Sequence, residues 1–257
     1  MNLLVSNGRR LPDVARDLVH LQRPDKEVAL LAALNDQSPE TYARLAVGER
    51  DRLIMMLHER TFGGRYDCEA RCTACHSHMA FSFTASDVGL EPGAVDADAL
   101  MLTEGRIVVK LRVPNSADLA AVLQSANPAA ALFSRCVKVQ SSPVHRIGEM
   151  RTNDLPASLR QSAIERLAAL DPQADLVFEL ECPSCALDTK VMFDPIAALF
   201  HQAASEAPVI HRATLKTMHG GPGSALSDFL ERVVQRHLHE AAVHALRLEP
   251  AAADLVF

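Results

Sequence analysis

Four of the chain's six cysteines fall in two pairs, Cys72-x-x-Cys75 and Cys182-x-x-Cys185, and this spacing limits the possible folds more than any other feature. A two-residue gap lets both sulfurs of one turn reach a single ion, so two such turns can surround a metal with four thiolates in nearly tetrahedral disposition. Soft thiolates suit zinc, which needs no redox partner. With every position taken by protein, such a Zn2+ site is structural: no place is left for a water to be activated, and the ion contributes to folding by about 10 kcal/mol or more. The opening stretch MNLLVSNGRRLPDVARD sets Arg9, Arg10 and Asp13 where a secretory signal needs an apolar run, so a cytoplasmic location is expected. In a reducing compartment paired cysteines hold a metal rather than a disulfide.

A chain of 257 residues that is 48% hydrophobic has ample material for one elaborate globular domain or two small ones, which excludes general disorder. No uncharged apolar run approaches the roughly 18 residues needed for a membrane span. The net charge of -6, with no Lys/Arg stripe, argues against a nucleic-acid partner, because phosphate neutralisation needs a basic face.

Apolar periodicity places two short helical pieces in 11–35, separated at Pro24, and a further stretch opened by Pro39 and Thr41. Val47 to Phe62 is predicted as a helix with Leu53, Met56, Leu57 and Phe62 near helical spacing, ended by Gly63-Gly64. Met79, Phe81 and Phe83 alternate as in a strand, after a turn-rich approach to the first cysteine pair. Strands are predicted at Arg106 to Val113, Asp175 to Glu181 and Thr189 to Phe193, so the second cysteine pair occupies a hairpin turn. Helices are predicted at NSADLAAVLQSA with Asn115 or Ser116 as cap, at Leu155 to Leu170, from Asp194 to about His219, and from Ser227 or Asp228 onward. The last carries Phe229, Leu230, Val233, Val234, Leu238, Ala241 and Ala245 on one stripe. This stripe and that of Leu53, Met56 and Leu57 are candidates for partner contacts, with core the favoured reading of both. The fold class expected is α+β: helical parts at 1–64 and 201–257 around a central domain at 65–200, a zinc-ribbon-like unit of small β-hairpins.

Cys68-x-x-x-Cys72-x-x-Cys75 has the spacing with which radical S-adenosylmethionine enzymes hold a four-iron cluster. Against that enzyme stand Ala74, where such enzymes carry an aromatic residue, and the Cys182 pair, which it leaves unexplained. A zinc-ribbon adaptor of the transcription machinery is a further alternative, opposed by the acidic charge. Cys68 and Cys136 otherwise read as buried thiols, His76 and His78 as turn and strand residues, and His237, His239 and His244 as members of a solvated helix. No nucleotide-binding loop, nucleophile elbow or H-E-x-x-H motif occurs, so no catalytic residue is assigned and an enzyme is not expected.

The order of further motifs is informative. Arg60-Thr61-Phe62-Gly63, the first cysteine pair, Arg112, Pro114, Ser116, Asp118 and Leu119, then Arg135-Cys136-Val137, Asp171-Pro172 with Asp175, Cys182-Pro183-x-Cys185 and Phe193-Asp194 follow one another between Arg52 and Phe200. In this order the chain resembles the T-even-phage-type baseplate hub assembly chaperone family of contractile phage tails and contractile injection systems. The resemblance implies a zinc-stabilised, non-enzymatic protein whose partners are baseplate hub or spike proteins, in the cytoplasm or incorporated into a tail particle. Taken as residues alone, Arg112, Pro114 and Asp118 end a strand and start a helix, Asp171-Pro172 stops a helix, and Phe62 and Phe193 belong to the core. The chain departs from the family in having Ala186 where relatives carry Gly, and in having no Trp.

Overall fold

Pro24 and the glycines after Phe62 set the pace of the first part of the chain. In the computed structural model, which describes residues 11–35, 37–89, 100–141, 151–204, 213–214, 216–217, 229–234 and 236–237, helices α1 (Leu11–Leu18) and α2 (Asp25–Asn35) flank Pro24. Helices α3 (Pro39–Ala43) and α4 (Val47–Phe62) follow. At the end of α4, Gly63 takes φ 103° and its N–H reaches the Glu59 carbonyl at 3.0 Å. A side chain is strained at that φ, and glycine is not.

The rest interleaves hairpins with helices. Strands β1 (Arg65–Arg71) and β2 (His78–Thr84) form one antiparallel hairpin. Strands β3 (Leu100–Glu104) and β4 (Ile107–Leu111) form a second, which β5 (Val137–Ser141) joins after helices α5 (Ser116–Val122) and α6 (Pro128–Cys136). Helix α7 (Ala157–Leu170) precedes the third hairpin, β6 (Val177–Glu181) with β7 (Asp188–Met192), which runs into α8 (Pro195–Ala204). Two-residue strands β8 (Ala213–Thr214) and β9 (Lys216–Thr217) complete three-stranded sheets of order β2-β1-β8 and β6-β7-β9. The class is α+β, as expected. No helix among the described residues is long and apolar enough to cross a membrane.

The structure departs from the sequence expectations in several places, among them β3, β5 and α6, which are not among the predicted elements. The approach to the first cysteine pair is strand β1, whose Tyr66, Cys68 and Ala70 are buried between charged neighbours. Two of those apolar positions hold Cys and Ala, so the alternation carries little hydrophobic signal. The helix expected to reach about His219 ends at Ala204, and β8 and β9 instead pair with β1 and β7. Pro208 stands in this interval and cannot donate a helical hydrogen bond. In α4 the buried face is Val47, Arg50, Asp51, Ile54, Met55, His58 and Thr61, whereas Met56 is exposed. Buried charges there make the inward face look like a solvated one.

Three apolar clusters meet around α4. Val47 belongs to the largest, with β4, β5, α5, α6 and α7; Met55 to an aromatic one beneath the β1–β2 and β6–β7 turns; and Ile54 to one shared with α1, α2 and α8. Phe193 is fully buried, and Phe62 packs half-buried against the N-terminal helices. Phe229, Leu230, Val233 and Val234 of the helical residues 229–234 are buried in the largest cluster, so that part of the terminal stripe is core. Leu238, Ala241 and Ala245 lie outside the described residues.

Beneath these clusters α4 carries one side of a buried ion network. Arg50 reaches Asp51 at 2.6 Å, the Ser116 hydroxyl at 3.0 Å and His237 Nε2 at 3.1 Å. Arg236 pairs with Asp51, and Arg23 pairs with Glu27 at 2.5 Å and with Asp194. Burial raises the Glu27 carboxyl, but Arg23 and Arg50 outweigh it and hold the group below its ordinary value. His237 is not solvated, correcting the expectation: it is 1% exposed, and burial together with three guanidinium groups keeps it neutral. Its Nδ1–H donates to the Val233 carbonyl at 2.6 Å, which leaves Nε2 to accept from Arg50. Since Asp194 directly follows β7 and Phe193, the network anchors the third hairpin to α2 and α4.

Candidate metal centre

The β1–β2 and β6–β7 turns are built alike. Strand pairing closes at Arg71–His78 in one and Glu181–Asp188 in the other. Within the turns the Cys72 N–H donates to the Ser77 carbonyl and the Cys182 N–H to the Leu187 carbonyl, each at 3.0 Å. The returning bonds run from His76 N–H to the Cys72 carbonyl at 3.1 Å and from Ala186 N–H to the Cys182 carbonyl at 2.8 Å. To close the turn His76 takes φ 59° and Ala186 φ 55°, in the left-handed region. This backbone points Cys72 and Cys182 inward, where both are buried, and leaves Cys75 and Cys185 exposed.

The four predicted sulfurs come together. Their Sγ atoms all lie within 4.8 Å of one another, with Cys72–Cys185 and Cys75–Cys182 each at 3.6 Å, and none is in a disulfide. Sulfurs arranged tetrahedrally at about 2.3 Å from one ion are separated by about 3.8 Å, so the set could hold a single metal ion. Hydrogen bonds reach the sulfurs from around. The Ala74 N–H donates to Cys72 Sγ at 3.4 Å, the Thr189 hydroxyl to the same sulfur at 3.9 Å, and the Ser77 hydroxyl lies 3.1 Å from both Cys75 Sγ and Cys182 Sγ. Neither Ser77 nor Thr189 carries a motif that would have marked it in the sequence.

Hydrogen bonds and mutual crowding pull the thiols of the set in opposite directions. Hydrogen bonding from Ser77 draws the Cys182 thiol down to about 6. The Leu187 N–H pulls Cys185 the same way, but the crowding thiols of Cys72 and Cys75 push it up to about 12. Four thiols this close cannot all ionise against one another; a divalent cation among them is what makes four thiolates compatible.

Other candidates stand apart. Cys68 faces the aromatic cluster from β1, where burial pushes its thiol up to about 12, so the Cys68, Cys72, Cys75 trio is not gathered. Cys136 lies in the largest cluster, its thiol likewise pushed up to about 12 by burial. His76 and His78 are exposed and do not join the sulfurs. His239 and His244 lie outside the described residues.

Below the sulfurs lies a bed of rings. Phe83 and Phe193, at matching places after the two turns, meet edge to face at 4.9 Å, and Tyr66 stacks on Phe83 at 4.9 Å. His58 stacks on Tyr66 at 4.2 Å, and burial lowers it to about 4.

The remaining motif residues are joints of the fold. Arg112 grips Asp118 through two bonds of 2.6 and 2.9 Å, Arg135 adds a third at 2.9 Å, and Asn115 and Asp118 form a reciprocal cap on α5. The Pro114 carbonyl accepts from Val47 N–H at 3.1 Å, and Ser116 receives Arg50. Asp171 accepts the Gly48 N–H at 3.0 Å; a Cβ at Gly48 would lie 2.0 Å from its Oδ1, so the close approach requires glycine. Asp175 pairs with Arg232 at 2.5 Å.

A family model described as T4 bacteriophage base plate protein matches residues 18–201. No curated protein and no solved structure matches the chain.

Proposed function

The chain belongs to the T4 bacteriophage base plate protein family, and from that premise we propose that it is a non-enzymatic, zinc-stabilised protein acting in assembly or structure of the baseplate hub of a contractile phage tail or injection system. The observation that carries the proposal is the gathering, inside the matched residues 18–201, of four sulfurs from two distant turns. Cys72, Cys75, Cys182 and Cys185 would hold the ion, and zinc suits four soft thiolates at this separation. When bound it supplies folding energy and joins the two hairpins of the 65–200 region. The four ligands leave no position for a substrate. The work then falls to surfaces, with baseplate hub or spike proteins as partners, met in the cytoplasm during assembly or kept in the particle.

Metal analysis of the purified chain, combined with mass spectrometry of what co-purifies from cells expressing the tail genes, tests this. One zinc per chain together with a hub or spike protein is the expected result. Iron with a visible absorption band, or association with metabolic enzymes alone, overturns it.

A further inference from the structure

We propose that Ser77 is a positioning residue of the metal centre, whose hydroxyl bridges the two turns and sets how fast a bound zinc leaves. The inference rests on the four cysteines being a zinc site and adds a residue to it. The turns match position by position, Cys72 with Cys182 and Cys75 with Cys185, and the residue matching Ser77 is Leu187, whose side chain has no hydrogen-bonding group and is 42% exposed. The symmetry of the backbone is therefore broken in the side chains around the sulfurs.

Ser77 Oγ lies 3.1 Å from Cys75 Sγ, on its own turn, and 3.1 Å from Cys182 Sγ, on the other. A hydroxyl has one proton to donate, and from this place it can serve either sulfur without moving. Four thiolates around a divalent ion keep an excess of negative charge, which donors outside the ligand set must spread. The Thr189 hydroxyl serves Cys72 from 3.9 Å. Neither hydroxyl is placed at exposed Cys185. Zinc release begins when one sulfur lets go; Ser77 serves Cys75 and Cys182 and Thr189 serves Cys72, so Cys185, which has the Leu187 N–H but no hydroxyl, is the first to yield.

The test is the rate at which zinc passes from the loaded full-length chain to a colorimetric chelator. Loss of a partner outside the ligand set changes metal binding by about tenfold or more, so Ser77→Ala is expected to release zinc about tenfold faster. Ser77→Thr, which keeps the hydroxyl, should release it at the wild-type rate. Leu187→Ser, which places a hydroxyl at the matching position of the other turn, should slow release. In the cobalt-loaded protein the sulfur-to-cobalt absorption should shift in Ser77→Ala and not in Ser77→Thr. Release from Ser77→Ala at the wild-type rate, equal acceleration in the Ala and Thr variants, or a Leu187→Ser variant no slower than wild type overturns the role of Ser77. A wild-type chain that binds neither zinc nor cobalt overturns the four-cysteine site itself, a separate result.

Discussion

The thiol cluster between the hairpin turns and the ion cluster beside α4 both gather side chains from distant parts of the chain, and they balance charge in opposite ways. In the ion cluster Arg23, Arg50 and Arg236 face Glu27, Asp51 and Asp194, with His237 kept neutral, so the chain supplies both signs itself. The thiol cluster has four groups of one kind within 4.8 Å, and only an ion from outside makes them all thiolates. One centre is closed on folding. The other could be closed by a metal ion, and its two exposed cysteines keep it in reach of solvent. They share a strand: β7 begins just after the second cysteine turn and leads through Phe193 to Asp194, so one hairpin is held at both ends by different chemistry.

The largest break in the comparison should come from removing a thiolate. A site of this kind contributes about 10 kcal/mol or more, as much as the whole stability of a typical domain. Cys182→Ser is therefore expected to yield insoluble or protease-sensitive protein. A soluble, protease-resistant variant that still carries its metal would show that the cluster is not what holds the hairpins.

The ion cluster should break less severely and without metal. Arg50→Ala leaves Asp51 and Glu27 buried with a cation removed, a loss of about 3–5 kcal/mol. Denaturant unfolding of the metal-loaded variant measures it, and the folded fraction should keep its full metal content. A loss below about 1 kcal/mol would mean that water takes the place of the guanidinium and that the cluster is not closed.

These two centres also differ in how far the sequence announces them. Thiolates reach one ion from a turn only at a narrow spacing, so C-x-x-C declares its chemistry locally, and all four sulfurs met as expected. Nothing local declares Arg23, Arg50 or Arg236. Taken alone each reads as a solvated charge, and its burial is decided by partners up to about two hundred positions away. The same reason shifted the buried face of α4 and placed His237 on a solvated helix. The joints at Arg112–Asp118 and Gly48–Asp171 lie between: cap and helix-stop chemistry was legible, while their long-range partners Arg135 and Gly48 were not. Helix ends at Phe62 and Leu170 were set by glycine and proline, which act locally, and were read correctly.

Acid should separate the centres further. His58 is lowered to about 4 by burial, so the unfolded chain takes up a proton first as the pH falls below about 6.5, and stability present above that value declines toward pH 4. His237 acts in the same direction. Glu27, Asp118 and Asp194, held below their ordinary values by arginines that outweigh burial, lose their contributions only below about pH 4.5. Asp171, raised to about 6 by burial, has the opposite sign and gains stability as it protonates. His58→Leu should flatten the decline in melting temperature between pH 6.5 and 4, measured with metal content followed in parallel. An unchanged slope at constant metal content would assign the decline elsewhere.

The smallest effect tests the likeness of the two turns. Ala186 and His76 occupy matching places after the second cysteine of each pair, and both take a left-handed φ that costs a residue with a Cβ about 1–2 kcal/mol. Relatives in the resembled family carry glycine at the first of these places, which removes that cost and gives back part of it through the greater freedom of the unfolded chain. Ala186→Gly is therefore expected to stabilise the metal-loaded protein by about 0.5–1 kcal/mol, with His76→Gly producing a similar gain. The gain should vanish in protein stripped of metal if the turn adopts this φ only when its sulfurs are held together. A gain that survives metal removal would show that the turn is fixed by its own hydrogen bonds, so that the chain preforms the thiol cluster much as it does the ion cluster. A loss of stability in Ala186→Gly would mean that the methyl group contributes packing that outweighs the strain.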